Sequence, residues 1–209
     1  MVRLTGTSEA TSQAGRGYAA LGASETAGVG ATPQSNGYAY LVARALHAQP
    51  FRNLGISGTT LSGGYRSELS GALAIRPRLA TVFFGFNDLR NGVSRDAFVR
   101  DLYRLVKALR QAHIQVVIIG LPDLSRLPVM ATFPVQTVRQ IVTSWDNGMR
   151  DVARKTGAQF LDLRKYNAEL AHHPEYVSAD GLHPSNAGYA RLAQEVVRFV
   201  KRKGLWTAR

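Results

Sequence analysis

Two stretches near opposite ends of the chain carry residue types that suit nucleophilic chemistry. Gly22-Ala23-Ser24 closes an apolar run and leaves a hydroxyl at its end, and Asp180-Gly181-Leu182-His183-Pro184 sets a carboxylate three residues before an imidazole. A serine hydroxyl is a weak nucleophile at neutral pH and needs a base within hydrogen-bond reach. Histidine suits that task, and a carboxylate fixes its tautomer and steadies the imidazolium. A spacing of three lets Asp180 and His183 meet in a tight turn, which Pro184 and a helix start behind it would hold rigid. Acyl transfer also needs donors aimed at the developing oxyanion. The backbone N–H of Ser24, the backbone N–H of Gly55 and the side-chain amide of Asn87 can supply three.

Each residue taken alone also has a structural explanation. Ser24 can cap a helix, Asp180 can be a turn residue, and His183 can sit in a surface loop. Gly55 can serve a turn that needs positive φ, and Asn87 can cap or close one through its side chain. Their order at the ends of successive strands is what favours chemistry.

The elements that must position them follow from periodicity. Apolar runs at Gly17–Leu21, Phe51–Leu54, Ala80–Phe84, Ile114–Gly120 and Ala158–Leu163 read as five strands, the fourth almost wholly β-branched and so buried on both faces. Helical stripes alternate with them. Ser35 would cap a helix to about His47, Thr59 or Thr60 would open one to about Ala74, and Ser94 would cap one bearing Phe98, Leu102, Leu105, Val106 and Leu109. A long helix over about 135–156 would bury Val135, Val138, Val142, Trp145, Met149 and Val152, with Gly157 ending it. The last helix would pack Tyr189, Leu192, Val196 and Val200. Strands alternating with helices imply a parallel sheet covered on both faces, with the ligand outside the carboxyl ends of the strands.

The 209 residues, 45% apolar, suffice for one domain over 16–209, preceded by a polar, loosely held leader at 1–15. Absence of cysteine excludes a disulfide framework, a zinc–thiolate site and a cysteine nucleophile. No apolar run approaches the roughly 18 residues of a membrane span. Residues 1–7 lack the apolar centre of a signal peptide, and both a cytoplasmic and a processed, secreted protein fit. The net charge of +12 implies weak attraction to anionic surfaces. The cations are scattered, no nucleic-acid module is recognisable, and the densest group (Arg198, Lys201, Arg202, Lys203, Arg209) falls on and after the last helix, where its dipole favours positive charge. The adjacent His172 and His173 have poor chelating geometry, so neither metal nor cofactor is expected.

The ordered blocks Gly22-Ala23-Ser24-Glu25-Thr26, Asn53-Leu54-Gly55, Gly85-Phe86-Asn87-Asp88 and Asp180-Gly181-Leu182-His183-Pro184 resemble those of the SGNH hydrolases, or GDSL esterase/lipase family, from Gly17 to about Val200. The resemblance implies an α/β, three-layer flavodoxin-like fold with a five-stranded parallel sheet, and ester hydrolysis through an acyl-serine intermediate. It implies Ser24 as nucleophile, His183 as base and Asp180 as its orienting acid, with Ser24, Gly55 and Asn87 as the oxyanion hole. One departure is Ala23, where the family usually has aspartate, so that residue's hydrogen bonds to the neighbouring loop cannot form. The motif also differs from the Gly-x-Ser-x-Gly elbow, because Thr26 stands where that motif has glycine. For the substrate, Phe86 with Leu127, Val129, Met130 and Phe133 of the irregular 121–134 segment would line an apolar acyl site, or else plug the core under a long loop. Fatty-acyl or short-chain esters are expected. Acetyl groups on a carbohydrate are the alternative, and a ligand-binding module without turnover is a further one.

Overall fold

The computed structural model describes residues 16–207, excepting the side chains of Asn167 and Ala168. The expected leader therefore lies outside the described residues. Five strands form one parallel sheet: β1 (Tyr18–Gly22), β2 (Phe51–Asn53), β3 (Leu79–Phe83), β4 (Gln115–Ile119) and β5 (Gln159–Leu161), in the order β2-β1-β3-β4-β5. This is the doubly wound order expected of a flavodoxin-like sheet, with β3 at its centre and β1 beside it. Tyr18 pairs with both Phe51 and Leu79, and Gly22 pairs with Phe83, so β1 and β3 end together at the carboxyl edge.

Side-chain alternation along the strands divides the interior in two. Ala19, Leu21, Ala80, Val82, Val116 and Ile118 face one layer, made of α3 (Leu61–Ser67), α4 (Leu69–Ala74), α6 (Arg95–Gln111) and α7 (Val135–Thr156). Tyr18, Ala20, Leu79, Val117 and Ile119 face the other, made of α2 (Tyr38–Ala45) and α9 (Asn186–Arg202). The remaining helices, α1 (Ser24–Ala27), α5 (Phe86–Arg90) and α8 (Asn167–His172), are short pieces at the carboxyl edge.

Local chemistry explains most boundaries. Ser94 Oγ accepts from the Ala97 N–H and starts α6, whose expected stripe is buried throughout, and Gly157, at φ 70°, ends α7. Three expectations need correcting. Ser35 lies in a single 3-10 turn, and Gly37 precedes α2 without a side-chain cap, because the chain must first turn back against α1. The helix opened by Thr60 is broken at Glu68 into α3 and α4. Val135 is 46% exposed, since the first turn of α7 projects beyond the layer it packs against.

Candidate active site

Ser24 is the first residue of α1, which begins immediately past the end of β1. It does not cap that helix: the capping position is Ala23, which has no side-chain acceptor. The residue is 6% exposed, and its hydroxyl donates to Glu25 Oε2 at 3.3 Å. The turn beneath it is bonded on every side. Ala23 N–H donates to the Phe83 carbonyl (3.3 Å), Ile56 N–H donates to the Gly22 carbonyl (3.0 Å), and Gly22 N–H donates to Glu68 Oε2 (2.8 Å). Thr26 Oγ1 donates to the Leu21 carbonyl (3.4 Å) and meets the Tyr38 hydroxyl at 3.2 Å. Only glycine fits at 22, where φ is 156° and a Cβ would fall 2.1 Å from Thr26 Oγ1.

Asp180 and His183 come together in the loop before α9. His183 Nδ1 lies 2.6 Å from Asp180 Oδ2, while Ser178 Oγ and the backbone N–H groups of Leu182 and His183 donate to Oδ1 at 2.8–2.9 Å. Burial works to raise the Asp180 carboxyl, but the bond from His183 and the three other donors prevail and hold it well below the usual carboxylate range. An ionised Asp180 that accepts from Nδ1–H leaves Nε2 as the free, basic nitrogen.

The loop after α1 is tied to the start of α9 beside this turn. Asn186 exchanges two hydrogen bonds with Thr32 (2.9 and 2.7 Å), and the Tyr189 hydroxyl donates to the Val29 carbonyl (2.6 Å). Among the described residues no hydrogen bond joins Ser24 to His183. Glu25 is near enough to feel both: burial raises its carboxyl above the usual range, against its own N–H, the nearby His183 and the Ser24 hydroxyl.

The expected oxyanion donors differ in readiness. The Ser24 N–H belongs to the first turn of α1 and so has no intrahelical acceptor. Asn87 is buried, and its amide donates to the Thr59 carbonyl at 3.0 Å, leaving the second N–H of that group for a ligand. Asp88 beside it accepts the Leu61 N–H with both oxygens and ties α5 to α3; burial lifts its carboxyl to about 6. The Gly55 N–H, in contrast, donates to Asn53 Oδ1 at 3.1 Å. Nor does Gly55 serve a positive φ. A Cβ there would lie 2.5 Å from the Ala27 backbone nitrogen, so glycine is required for close packing on α1.

Beside Ser24 opens a cavity of about 140 Å3, whose lining includes Ala23, Glu25, Leu182 and Pro184 together with Phe86, Leu121, Leu124 and Leu127. Of the residues expected there, Phe86 and Leu127 line it. Val129 and Phe133 do not, being 43% and 54% exposed, and Met130 packs half-buried on the core. The reason is the path of the 121–134 segment, which coils as two 3-10 turns. Leu121 N–H is anchored on buried Asp146, and Asp123 caps the first turn while accepting from Arg139. These bonds turn Leu124 and Leu127 inward and the residues after them outward.

Part of the lining is polar. Arg191 pairs with Glu169 and Glu195, stacks over the Tyr166 ring at 5.0 Å, and Tyr166 donates to Glu195. Sequence reading missed these residues, together with Glu25 and Glu68. Glu68 did leave a signal: it interrupts the stripe Leu61, Gly64, Ala72 at helical spacing, a charge at a core position. Among the described residues no cluster of His, Asp and Glu is placed to hold a metal, and no helix is long and apolar enough to cross a membrane.

No curated protein matches the sequence. Solved structures do match the fold: a lipase/acylhydrolase from Enterococcus faecalis (23% identity over 90% of this chain and 96% of its own, TM-score 0.69) and a psychrotrophic esterase from Pseudoalteromonas, crystallised inhibited by monoethylphosphonate (18%, 90% and 98%, 0.70). An acetyl-xylooligosaccharide esterase from Geobacillus is also similar (20%, 89% and 95%, 0.68). The family model of GDSL-like lipases and acylhydrolases matches residues 20–191, so the chain belongs to that family.

Proposed function

We propose that the protein is a serine esterase that hydrolyses carboxylic esters of apolar acyl chains through an acyl-Ser24 intermediate. The observation that carries this reading is the Asp180–His183 pair, bonded at 2.6 Å and tied through Thr32 and Val29 to the loop that follows Ser24. In the proposed reaction the Ser24 hydroxyl turns from Glu25 to His183 Nε2, a change in keeping with the tightening of catalytic hydrogen bonds once substrate is present. His183 takes the proton as Ser24 attacks the ester carbonyl. The Ser24 N–H and the free N–H of Asn87 receive the oxyanion, and Gly55 joins them on releasing Asn53. The imidazolium, steadied by Asp180, returns the proton to the leaving alcohol. Water then enters by the same route, and the acid departs.

The largely apolar lining of the cavity beside Ala23 supports an acyl chain longer than acetyl. Release of acetyl from a carbohydrate is the second reading, favoured by the Tyr166 and Tyr176 rings in the cavity wall and by the likeness to the Geobacillus esterase. Arg191, Glu169 and Glu195 bind one another, however, which leaves few donors for sugar hydroxyls. Hydrolysis of p-nitrophenyl esters from C2 to C16, beside acetylated xylan, separates the two. The first reading predicts that kcat/KM climbs from C2 to a medium chain, each buried methylene adding about 0.8 kcal/mol until the cavity is full. A maximum at C2 with release of acetate from xylan selects the second.

A further inference from the structure

We propose that Glu68 is a positioning residue of the nucleophile turn, its buried carboxyl replacing the strand carbonyl that Gly22 lacks. The inference rests on Ser24 being the nucleophile. Strand β2 pairs with β1 only as far as Ala20↔Asn53; beyond that, Leu54 and Ile56 still donate to the carbonyls of Ala20 and Gly22. In a parallel ladder the N–H and C=O of one residue point to the same neighbour. Gly22 N–H therefore faces the β2 side, two residues before Ser24, and the acceptor it meets there is Glu68 Oε2 at 2.8 Å.

The surroundings are shaped for this contact. Glu68 occupies the break between α3 and α4, with φ −106° and ψ −30°, and is 1% exposed. A Cβ on Gly64 would lie 2.4 Å from the Phe84 ring and 3.1 Å from Glu68 Oε1, so the glycine makes room first for that ring and, beside it, for the carboxyl. Oε1 has no hydrogen-bond partner. A buried carboxyl with a single donor costs stability, and an apolar side chain of similar volume would fill the same position more favourably. Stability alone gives no reason for a carboxyl in that stripe, whereas fixing the backbone under Ser24 does. With Ala23 in the turn, that brace comes from the helix layer.

The test compares kcat, KM and the rate of labelling by a fluorophosphonate in the full chain and in Glu68→Gln, Glu68→Leu, Glu68→Asp and Ser24→Ala. Glu68→Gln keeps an acceptor for Gly22 and is expected to stay within about threefold of the parent kcat, as one neutral hydrogen bond replaces another. Glu68→Leu removes the acceptor and is expected to lower kcat and the labelling rate together by about 10- to 100-fold with KM unchanged, the size of a small misplacement of a reacting group. If Glu68→Leu loses its fold by circular dichroism, Glu68→Asp decides, since its shorter side chain draws the carboxyl away and must also lower kcat. Parent-like kcat in the folded leucine variant, or in the aspartate variant where that one decides, overturns the inference. So does equal loss in the glutamine and leucine variants. Full activity in Ser24→Ala overturns the nucleophile assignment itself, and the inference with it.

Discussion

The turn that carries Ser24 and the loop that carries Asp180 and His183 are held by opposite means. The first is buried, and its bonds come from far along the chain: Glu68, Phe83, Ile56 and Tyr38. The second is more open, with Asp180 45% exposed, and its bonds are almost all internal, from Ser178, Leu182 and His183 to one carboxylate. The sheet positions Ser24, while His183 is positioned by a few consecutive residues. Damage to the second half should accordingly stay local, and damage to the first should reach it from a distance.

The largest effect that sharpens this contrast belongs to the local half. Asp180→Asn should lower kcat by about 10^3- to 10^4-fold, since the wrong imidazole tautomer is favoured. Its melting temperature should shift little, because the loop makes its own bonds. A large fall in melting temperature would break the contrast. Asn87→Ala should cost about 10^2-fold in kcat with KM held, the loss of one oxyanion donor; an effect on KM alone would remove it from that role.

The smallest effect concerns stability at the remote end of the brace. Burial, opposed only by the Gly22 N–H, pushes the Glu68 carboxyl from its usual 4.5 up to about 8. Between those values the folded chain keeps a proton that the unfolded chain has released, so stability falls as pH rises through that window. Glu68→Gln cannot titrate. Its melting temperature should gain on the parent protein's between pH 5 and 9, and a constant difference would contradict the burial.

The same contrast explains what could be read from the sequence. Asp180-x-x-His183 is a local turn, and local spacing made it legible; so were the β-branched run of β4, the stripe of α6 and the Ser94 cap. The break at Glu68 was not; the carboxyl there is bonded to a strand 46 residues earlier, a contact no local spacing records. The engagement of the Gly55 N–H depends on how β2 leaves the sheet, which no spacing records. The residues expected to line the cavity were half legible: an apolar residue in a loop can plug, line or project, and buried Asp146 and Asp123 anchor the segment that decides which. Glu25 was in plain view beside Ser24, yet its significance depends on a cavity wall built from the other end of the chain.

The central claim is that Ser24 forms the acyl intermediate. Intact-mass and peptide mass spectrometry after treatment with a fluorophosphonate tests it directly, with ester hydrolysis followed in parallel. One adduct on Ser24, rising as activity falls and absent from Ser24→Ala, is the predicted result. Hydrolysis that persists in the fully labelled protein, or an adduct on another residue that tracks the loss of activity, would contradict it.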